Sequence, residues 1–392
     1  MLSDDLTRPP PEAMELLSGI VHLIEPLRDH APVVSESFLP TAHINAIGTA
    51  VPDHDVHAAF IGWAEPRIAD RRTRALFRRM AERSGIEHRW SVLPPTLEGG
   101  SPVAPGGFYH PDLPGTGARM EVYARAAPTL ALAAVAALEA QEKLEGITHL
   151  VVASCTGFVA PGIDQIIAAE LGLGEVERTL VGFMGCYAAV SSLRLARHIV
   201  RSEPHSRVLV ITVELSSLHL QHAQEIEPLL AMLQFGDGAS AALVTADETG
   251  FALSDPFAVT LADSAGLIRW TIGDQGFAMH LSGEVPARIA EALRKDEIRA
   301  RMLGGTSPAD VDCWAVHAGG RSVLDAVESG LDLPPQALAQ SRAVLASCGN
   351  MSSSTLPFVL AAMLGQPGCG RGIALAFGPG LAAEGFHFRR AP

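Results

Sequence analysis

Apolar and polar residues are arranged along this chain in two patterns, which predict two kinds of element. Short apolar or alternating runs, bounded by glycine and proline, predict strands. Longer stretches in which apolar residues recur every three or four positions predict helices. Strands are predicted at residues 41–51, 148–154, 207–213, 238–244, 311–316 and 372–377, and the main helices at 122–142 and 321–329. Strands that alternate with helices in this way predict an α/β fold.

The order of these elements repeats in the second part of the chain. In each part a strand leads through a loop into a helix, an apolar segment then leads into a second helix, and a further strand follows. We call this apolar segment the approach; it lies at residues 180–186 in the first part and corresponds to residues 343–350 in the second. Such a repeat predicts an internal duplication. The predicted organisation is an N-terminal extension at 1–40, a first half at 41–248 and a second half at 249–392.

Cys186 is the first candidate for catalysis. It follows Gly185 at the end of the apolar approach and lies in the first turn of a predicted helix. The apolar face of that helix consists of Ala189, Leu193, Ala196 and Ile199 or Val200. A helix N-terminus carries unpaired N–H groups and a partial positive charge, which lower the pKa of a thiol. We therefore predict a thiolate near neutral pH; the alternative is a buried cysteine that serves as a small hydrophobic side chain.

Eight arginines form a cationic stripe, at positions 67, 71, 72, 74, 78, 79, 83 and 89. On a helix, Arg72, Arg79 and Arg83 would share one face. The apolar contacts would come from Leu76, Phe77 and Met80. A stripe of this kind suits a phosphate-bearing ligand. The alternative is a solvated helix face with ion pairs.

The composition indicates a compact globular protein with a large core. The chain has 392 residues, of which 48% are hydrophobic and 18% are charged. Its net charge of −14 argues against nucleic acid or an anionic membrane as a partner. The apolar runs are too short to span a bilayer and the first residues lack a signal-peptide pattern, so we expect a cytoplasmic protein without membrane insertion.

The five cysteines lie at positions 155, 186, 313, 348 and 369. Their number is odd, their spacing is wide and no two of them have the C-x-x-C pattern. Neither a disulfide framework nor a zinc site is therefore predicted. We expect reduced thiols.

A duplicated α/β fold places equivalent strand-to-helix turns opposite each other, so three distant residues are predicted to converge. They are Cys186, His317 and Asn350. Histidine can hold a cysteine as a thiolate ion pair, and both histidine and asparagine can donate hydrogen bonds to a developing oxyanion. Taken singly, His317 could be a core histidine and Asn350 a turn residue.

Five short motifs follow one another along the chain. They are Gly185-Cys186-Tyr187-Ala188, Phe235-Gly236-Asp237-Gly238, His317-Ala318-Gly319-Gly320, Gly349-Asn350-Met351-Ser352-Ser353 and Phe377-Gly378-Pro379-Gly380. In this order they resemble the type III polyketide synthases, the chalcone synthase superfamily, over about residues 44–388. The resemblance implies a thiolase-like duplicated αβαβα layered fold, acyltransferase activity and a homodimer. It also implies acyl-CoA and malonyl-CoA as substrates, with no cofactor beyond these coenzyme A thioesters and no metal.

The resemblance assigns roles by position. Cys186 matches the nucleophile that carries the starter and the growing chain, and His317 and Asn350 match the pair that stabilises malonyl-CoA decarboxylation. Phe235 matches the gatekeeper between the coenzyme A tunnel and the cavity. Further substrate-binding matches are Thr156, Ser216, Ser352 and Phe377. The coenzyme A matches are Arg79, Arg83, Gly319 and Gly320, with Arg78 or Arg74 replacing a basic position that Leu76 occupies.

The cavity positions depart from the plant enzymes of the family. Ala160 stands where those enzymes carry a methionine that reaches into the partner's cavity, Met279 replaces a phenylalanine, and Trp270 stands at a glycine position. The segment around Cys186 looks most like bacterial members that make alkylresorcinols or alkylpyrones. We therefore expect a medium or long fatty acyl starter that enters past Ala160 and is extended by two or three malonyl units.

Three alternatives remain open from the sequence. A β-ketoacyl-ACP synthase III would share the fold and the three catalytic residues but condense once, with an acyl carrier protein. A type III synthase could also take a small or aromatic starter. A catalytically inactive scaffold or a thiol-redox protein of the same fold is the third.

Overall fold

The computed structural model describes residues 39–392, so the predicted N-terminal extension lies, up to residue 38, outside the described residues. The strands are β1 His43–Ala50, β2 His54–Asp55, β3 Trp90–Ser91, β4 His149–Ser154, β5 Glu177–Gly182, β6 Val208–Leu215, β7 Asp237–Thr245, β8 Phe251–Thr260, β9 Ile268–Gly273, β10 Gly276–Leu281, β11 Cys313–Val316, β12 Arg371–Gly378 and β13 Ala382–Arg390. The helices are α1 His57–Ala64, α2 Arg71–Glu82, α3 Thr116–Glu139, α4 Ile163–Glu170, α5 Ala188–Ser202, α6 Ile226–Met232, α7 Val285–Leu293, α8 Asp296–Leu303, α9 Arg321–Leu331, α10 Ala339–Cys348 and α11 Thr355–Leu364.

Nine strands form one mixed sheet in the order β11-β12-β13-β8-β1-β7-β6-β4-β5. The pairs β4–β5, β4–β6 and β11–β12 are parallel, and the other pairs are antiparallel. Five strands come from residues 43–245 and four from residues 251–390, and the two groups meet where β1 pairs with β8 over two residues. The α/β prediction is confirmed. The boundary between the halves at residue 248 stays a prediction.

Helix α3 packs against the sheet. Its residues Ala127, Leu130, Ala131, Ala134, Val135 and Leu138 are buried. Gly48 in β1 permits the close approach, since a Cβ atom there would lie 2.2 Å from the Leu138 backbone nitrogen. By length and composition alone, α3 is apolar enough to cross a membrane, with 24 residues and a mean hydropathy of 1.3. Its packing shows that α3 is a core helix of the fold.

Three local predictions are wrong. The predicted correspondence between residues 180–186 and 343–350 fails in part, because the first segment begins in strand β5 whereas residues 343–348 lie within helix α10. A short apolar run has no period that separates a buried strand from a buried helix. Strand β5 is mostly exposed in the single chain, although its sequence looks like a buried approach. In α2, Phe77 is buried but Leu76 and Met80 are exposed, so the apolar side of the arginine stripe is narrower than predicted.

The expectation of reduced thiols is wrong for one pair. Cys313 and Cys369 form a disulfide with their Cα atoms 5.6 Å apart. Cys313 begins β11 and Cys369 lies just before β12, and these two strands are parallel neighbours. The pairing therefore follows from the sheet topology, which a sequence separation of 56 residues does not reveal. The other three cysteines are free and buried.

Candidate active site

Cys186 lies at a tight turn between β5 and α5. Gly185 has φ +72°, and a Cβ atom at this residue would lie 2.4 Å from the Pro379 ring. Glycine is therefore required both for the backbone conformation and for the space. One turn of 3-10 helix, Gly185–Tyr187, then leads into α5. This arrangement presents Cys186 from the start of a helix, as predicted.

The Cys186 thiol is buried, with the residue 9% exposed. Its Sγ atom lies 3.8 Å from the Ser352 hydroxyl. Burial raises the pKa of Cys186 to about 12, and hydrogen bonds with Ser352 and Asn350 only partly offset this effect. Desolvation therefore opposes the predicted thiolate and favours the neutral thiol at Cys186.

His317 follows strand β11, and its backbone N–H donates to the Leu375 carbonyl group. The residue is 1% exposed, yet neither ring nitrogen has a hydrogen-bond partner among the described residues. Burial lowers the pKa of His317 to about 3. The imidazole is therefore neutral at pH 7, with one N–H donor and one acceptor free for a ligand. Burial of both groups thus favours a neutral thiol and a neutral imidazole over the predicted thiolate–imidazolium pair.

The backbone of Asn350 is hydrogen-bonded to the two residues that flank Phe235 in the sequence. Its N–H donates to the Gln234 carbonyl group, and its carbonyl group accepts from the Gly236 N–H. The side-chain Nδ2 donates to the Gly319 carbonyl group at 3.2 Å. A Cβ atom on Gly319 would lie 3.4 Å from the His317 ring.

Cys186, His317 and Asn350 therefore lie at one site, as the sequence predicts. Asn350 links the other two, because its side chain reaches both the Cys186 thiol and the loop that carries His317. The Ser352 N–H donates to the Asn350 Oδ1 at 2.8 Å, which fixes the amide orientation. The arrangement places the Asn350 amide against the thiol and brings the His317 ring to the same site through Gly319, so both can donate hydrogen bonds to a thioester oxygen bound there.

An apolar cavity lies beside this site, with about 800 Å³ of empty space including its mouth. Its apolar lining includes Phe60, Leu93, Val103, Leu220 and Phe277. Four of the predicted substrate-binding residues also line it, namely Phe235, Ser216, Trp270 and Met279. The lining is therefore mainly apolar, with a few polar groups at Ser216, Ser217 and Arg89.

The other predicted substrate-binding residues are placed elsewhere. Ala160 is exposed and does not line this cavity. Thr156 is buried, and its hydroxyl group donates to Glu214. Phe377 lies within β12 and is buried in the core. Trp270 has a second role, because its Nε1 donates to the Cys155 carbonyl group at 2.8 Å and holds that loop.

Glu214 is a site residue that the sequence prediction missed. Its carboxyl group accepts hydrogen bonds from the Cys155 N–H, the Thr156 hydroxyl and the Ser353 hydroxyl. Burial raises the pKa of Glu214 to about 7, and these hydrogen bonds oppose the shift. A single acidic residue near the end of the apolar strand β6 is the signal that could have identified it.

A second cavity lies between the end of α2 and the start of α9. Arg83 and Gly320 line it, and Arg321, which was not predicted, lines it with them. Gln234, whose carbonyl group holds the Asn350 backbone, forms another part of its wall. The wall of this cavity therefore includes two surface arginines and a residue that holds the Asn350 backbone.

The remaining predicted coenzyme A residues differ in their surroundings. Arg79 is exposed. Arg78 forms an ion pair with Glu65. Arg74 donates to the Ile68 carbonyl group. Among residues 39–392, no group of three or more His, Cys, Asp or Glu side chains could hold a metal ion.

The buried cysteine, with hydrogen-bond donors from His317 and Asn350 on an α/β scaffold, defines a thiolase-fold condensing enzyme. The family model of the chalcone and stilbene synthase N-terminal domain matches residues 35–248, and that of the C-terminal domain matches residues 256–392. The chain belongs to this family, the type III polyketide synthases, which are acyltransferases.

Two relatives show the same family. The chain is 34% identical over 264 residues to "Type III polyketide synthase C" of Arabidopsis thaliana, a match that covers 63% of this chain and 68% of the relative. It is 34% identical over 251 residues to "Alpha-pyrone synthesis polyketide synthase-like Pks18" of Mycobacterium tuberculosis, a match that covers 61% of this chain and 64% of the relative. The matched region thus spans about two thirds of each relative.

Solved structures confirm the predicted thiolase-like fold class. PKS-I of the brown alga Ectocarpus siliculosus matches with a TM-score of 0.80 and 28% identity, over 91% of this chain and 100% of that chain. The C-terminal type III polyketide synthase domain of Steely1 from Dictyostelium matches with a TM-score of 0.80 and 25% identity, over 90% of this chain and 100% of that chain.

Proposed function

We propose that this protein condenses a medium- or long-chain fatty acyl-CoA with two or three malonyl-CoA units and closes the product to an alkylresorcinol or an alkylpyrone. The coenzyme A thioesters are its substrates, and it uses no separate cofactor. The apolar cavity beside Phe235 is the observation that carries the choice of starter. A tail of methylene groups gains about 0.8 kcal/mol for each group that leaves water. The similarity to the relative named for alpha-pyrone synthesis supports the class of product.

The proposed reaction begins with the Cys186 thiol. Because both groups are neutral before binding, the free acceptor nitrogen of His317 takes the thiol proton as the sulfur attacks the starter carbonyl, and coenzyme A leaves with that proton. Malonyl-CoA then loses carbon dioxide, and donors from His317 and Asn350 stabilise the resulting enolate. The enolate carbon attacks the Cys186 thioester, the sulfur leaves, and a β-ketoacyl-CoA results.

The discriminating experiment supplies the purified enzyme with malonyl-CoA and a panel of acyl-CoA starters. Mass spectrometry of the products gives the preferred starter and the number of acetate units. Products with two or more added units, formed without an acyl carrier protein, support the proposal. A single condensation would indicate the β-ketoacyl synthase chemistry instead, and a preference for an aromatic starter would contradict the fatty acyl proposal.

We also propose a homodimer that forms through the edge of strand β5. This strand ends the nine-stranded sheet, and exposed strand edges readily pair with another chain. Leu180 on β5 and Phe158 beside it are each 44% exposed, which is unusual for large apolar side chains. Leu180→Glu should therefore yield a monomer in size-exclusion chromatography with light scattering, whereas exchange of the exposed Leu97 for glutamate should not.

Ala160 lies in the exposed loop next to this edge, away from the cavity of its own chain. We propose that the loop contributes to the cavity of the partner subunit. Ala160→Met should then shift the starter preference towards shorter chains without reducing malonyl-CoA decarboxylation. Adding Leu180→Glu should abolish that shift. A chain-length profile unchanged by Ala160→Met would place the alkyl tail within one subunit.

We propose the cytoplasm as the compartment, because coenzyme A thioesters are the substrates. Fractionation of the producing cells, followed by immunoblotting, tests this placement. Recovery of the protein outside the cytoplasmic fraction would contradict it.

A further inference from the structure

Arg89 is a buried cation next to the candidate active site. The residue is 3% exposed and directly precedes β3. Its Nε donates to the His57 Nδ1 at 3.0 Å, and its Nη1 donates to the Met232 and Phe235 carbonyl groups at 2.9 and 2.8 Å. Its Nη2 is buried and has no hydrogen-bond partner among the described residues. One donor group of this guanidinium is therefore left for a ligand.

The charge of Arg89 also lacks a direct partner. Burial lowers its pKa to about 10, so it is still a cation at neutral pH. All three of its acceptors are neutral, since burial and the nearby Arg89 lower the pKa of His57 to about 4. No carboxylate of the described chain forms a side-chain ion pair with it; Asp55 accepts from its backbone N–H, and Asp237 accepts from Val92 and Ser217. Asp55 and Asp237 attract this charge without contacting the guanidinium, so the buried Nη2 still favours a ligand that brings a partly negative oxygen.

The position of Arg89 indicates which part of a substrate it would meet. Arg89 lines the apolar cavity together with Phe235. Its aliphatic stem packs on Gly349, where a Cβ atom would lie 2.9 Å from the Arg89 Cγ. Gly349 directly precedes Asn350, which contacts the Cys186 thiol. These contacts place Arg89 on the side of the cavity that adjoins Asn350. A chain held on Cys186 would enter the cavity from that side with the carbon atoms nearest the thioester, which in this reaction are the most recently added acetate units.

We propose that the Arg89 Nη2 donates a hydrogen bond to a keto oxygen of the growing β-keto chain and thereby helps to set the number of extensions. This inference rests on the proposed function and adds a specificity-determining residue to it. A saturated fatty tail offers no oxygen, so the contact forms only after the first condensation. It distinguishes a β-ketoacyl intermediate from a starter of the same length.

Arg119 offers a matched control. It is also completely buried, its Nη1 donates to the Leu218 and Leu220 carbonyl groups, and its Nη2 also lacks a partner in the described chain. Unlike Arg89, it does not line the cavity. Replacing it should disturb the core to a similar degree without touching a β-keto chain.

The test compares a β-ketoacyl thioester with the saturated acyl thioester of the same length, each extended with malonyl-CoA. The readout is the ratio of the two kcat/KM values within one variant, which cancels any loss of folded enzyme. A charge-assisted hydrogen bond contributes about 1.5 to 3 kcal/mol, so Arg89→Gln should lower the ratio about tenfold or more. Arg119→Gln should leave the ratio at the wild-type value.

A second variant covers the case in which Arg89→Gln is insoluble. Arg89→Lys keeps the positive charge but has a single nitrogen in place of the planar fork, so it cannot reach His57, the two carbonyl groups and a chain oxygen together. Its ratio should also fall and its products should contain fewer acetate units. An unchanged ratio in an active Arg89 variant would overturn the proposal and leave a buried water as the partner of Nη2. An equal fall in Arg119→Gln would overturn it as well. Absence of any condensation by the wild-type enzyme would instead contradict the proposed function.

Discussion

Replacement of Glu214 by glutamine should remove a pH dependence of stability that the buried carboxyl group creates. Burial raises the folded-state pKa of Glu214 from 4.5 to about 7. Between these values the folded protein binds more protons than the unfolded chain, so its stability falls as the pH rises. The contribution is fully present below pH 4.5 and is lost as the pH rises through 7. A shift of this size corresponds to about 3 kcal/mol.

The assay measures the free energy of unfolding by urea titration at several pH values from 4.5 to 8.5, for wild type and for Glu214→Gln. The difference between the two proteins is the relevant quantity, because His317 and His219, whose pKa values burial lowers to about 3, give a slope of the opposite sign below pH 6.5 in both. Relative to the variant, wild type should lose about 3 kcal/mol across this range.

Asp237→Asn tests the same reasoning over a second, lower range of pH. Burial raises the pKa of Asp237 from 3.8 to about 6, so the corresponding loss should lie at lower pH than the loss for Glu214. A difference between wild type and Glu214→Gln that stays constant with pH would refute the reasoning. It would mean that the hydrogen bonds from Cys155, Thr156 and Ser353 stabilise the carboxylate enough to cancel its desolvation.

Three further predictions follow from the site and the sheet. Cys186→Ala should abolish acyl transfer but leave some malonyl-CoA decarboxylation, and mass spectrometry of wild type should locate the acyl group on Cys186 and on no other cysteine. Arg83→Ala should raise KM for acyl-CoA and change kcat less, and the rise in KM should be smaller at high salt. Arg78→Ala removes a side chain that is paired with Glu65, so it should raise KM less than Arg83→Ala does. Cys313→Ser should lower the free energy of unfolding by about 4 kcal/mol, since the disulfide closes a loop of 56 residues, and a reductant should lower the stability of wild type but not of the variant.

The sequence predicts the strands well because their patterns are local. A buried parallel strand appears as a continuous apolar run, as in β4 and β6. Helix α10 shows the limit of this signal, because ten residues without a clear polar face resemble a strand when read alone. The convergence of Cys186, His317 and Asn350 could be predicted because a duplicated fold fixes where equivalent turns meet.

The electrostatic state of the site could not be predicted, because it depends on burial. The sequence indicates that Cys186 lies at a helix N-terminus, but it does not show the burial that raises the pKa of the Cys186 thiol. The arginine stripe predicted from the sequence includes Arg89, but Arg89 lies beyond the end of α2. The glycine at position 85 is the sequence signal that could have indicated the end of this helix, and Gly85 indeed has φ +75°.

The backbone bridge between Phe235 and Asn350 has a consequence for enzyme engineering. Mutagenesis libraries for new products commonly start from residues that line a cavity, and Phe235 is such a residue here. Because the hydrogen bonds of Gln234 and Gly236 hold the Asn350 backbone, a change at Phe235 that shifts this segment also shifts a catalytic group. Libraries at Val103 and Leu220, on the cavity wall outside this segment, should alter product size with fewer inactive clones.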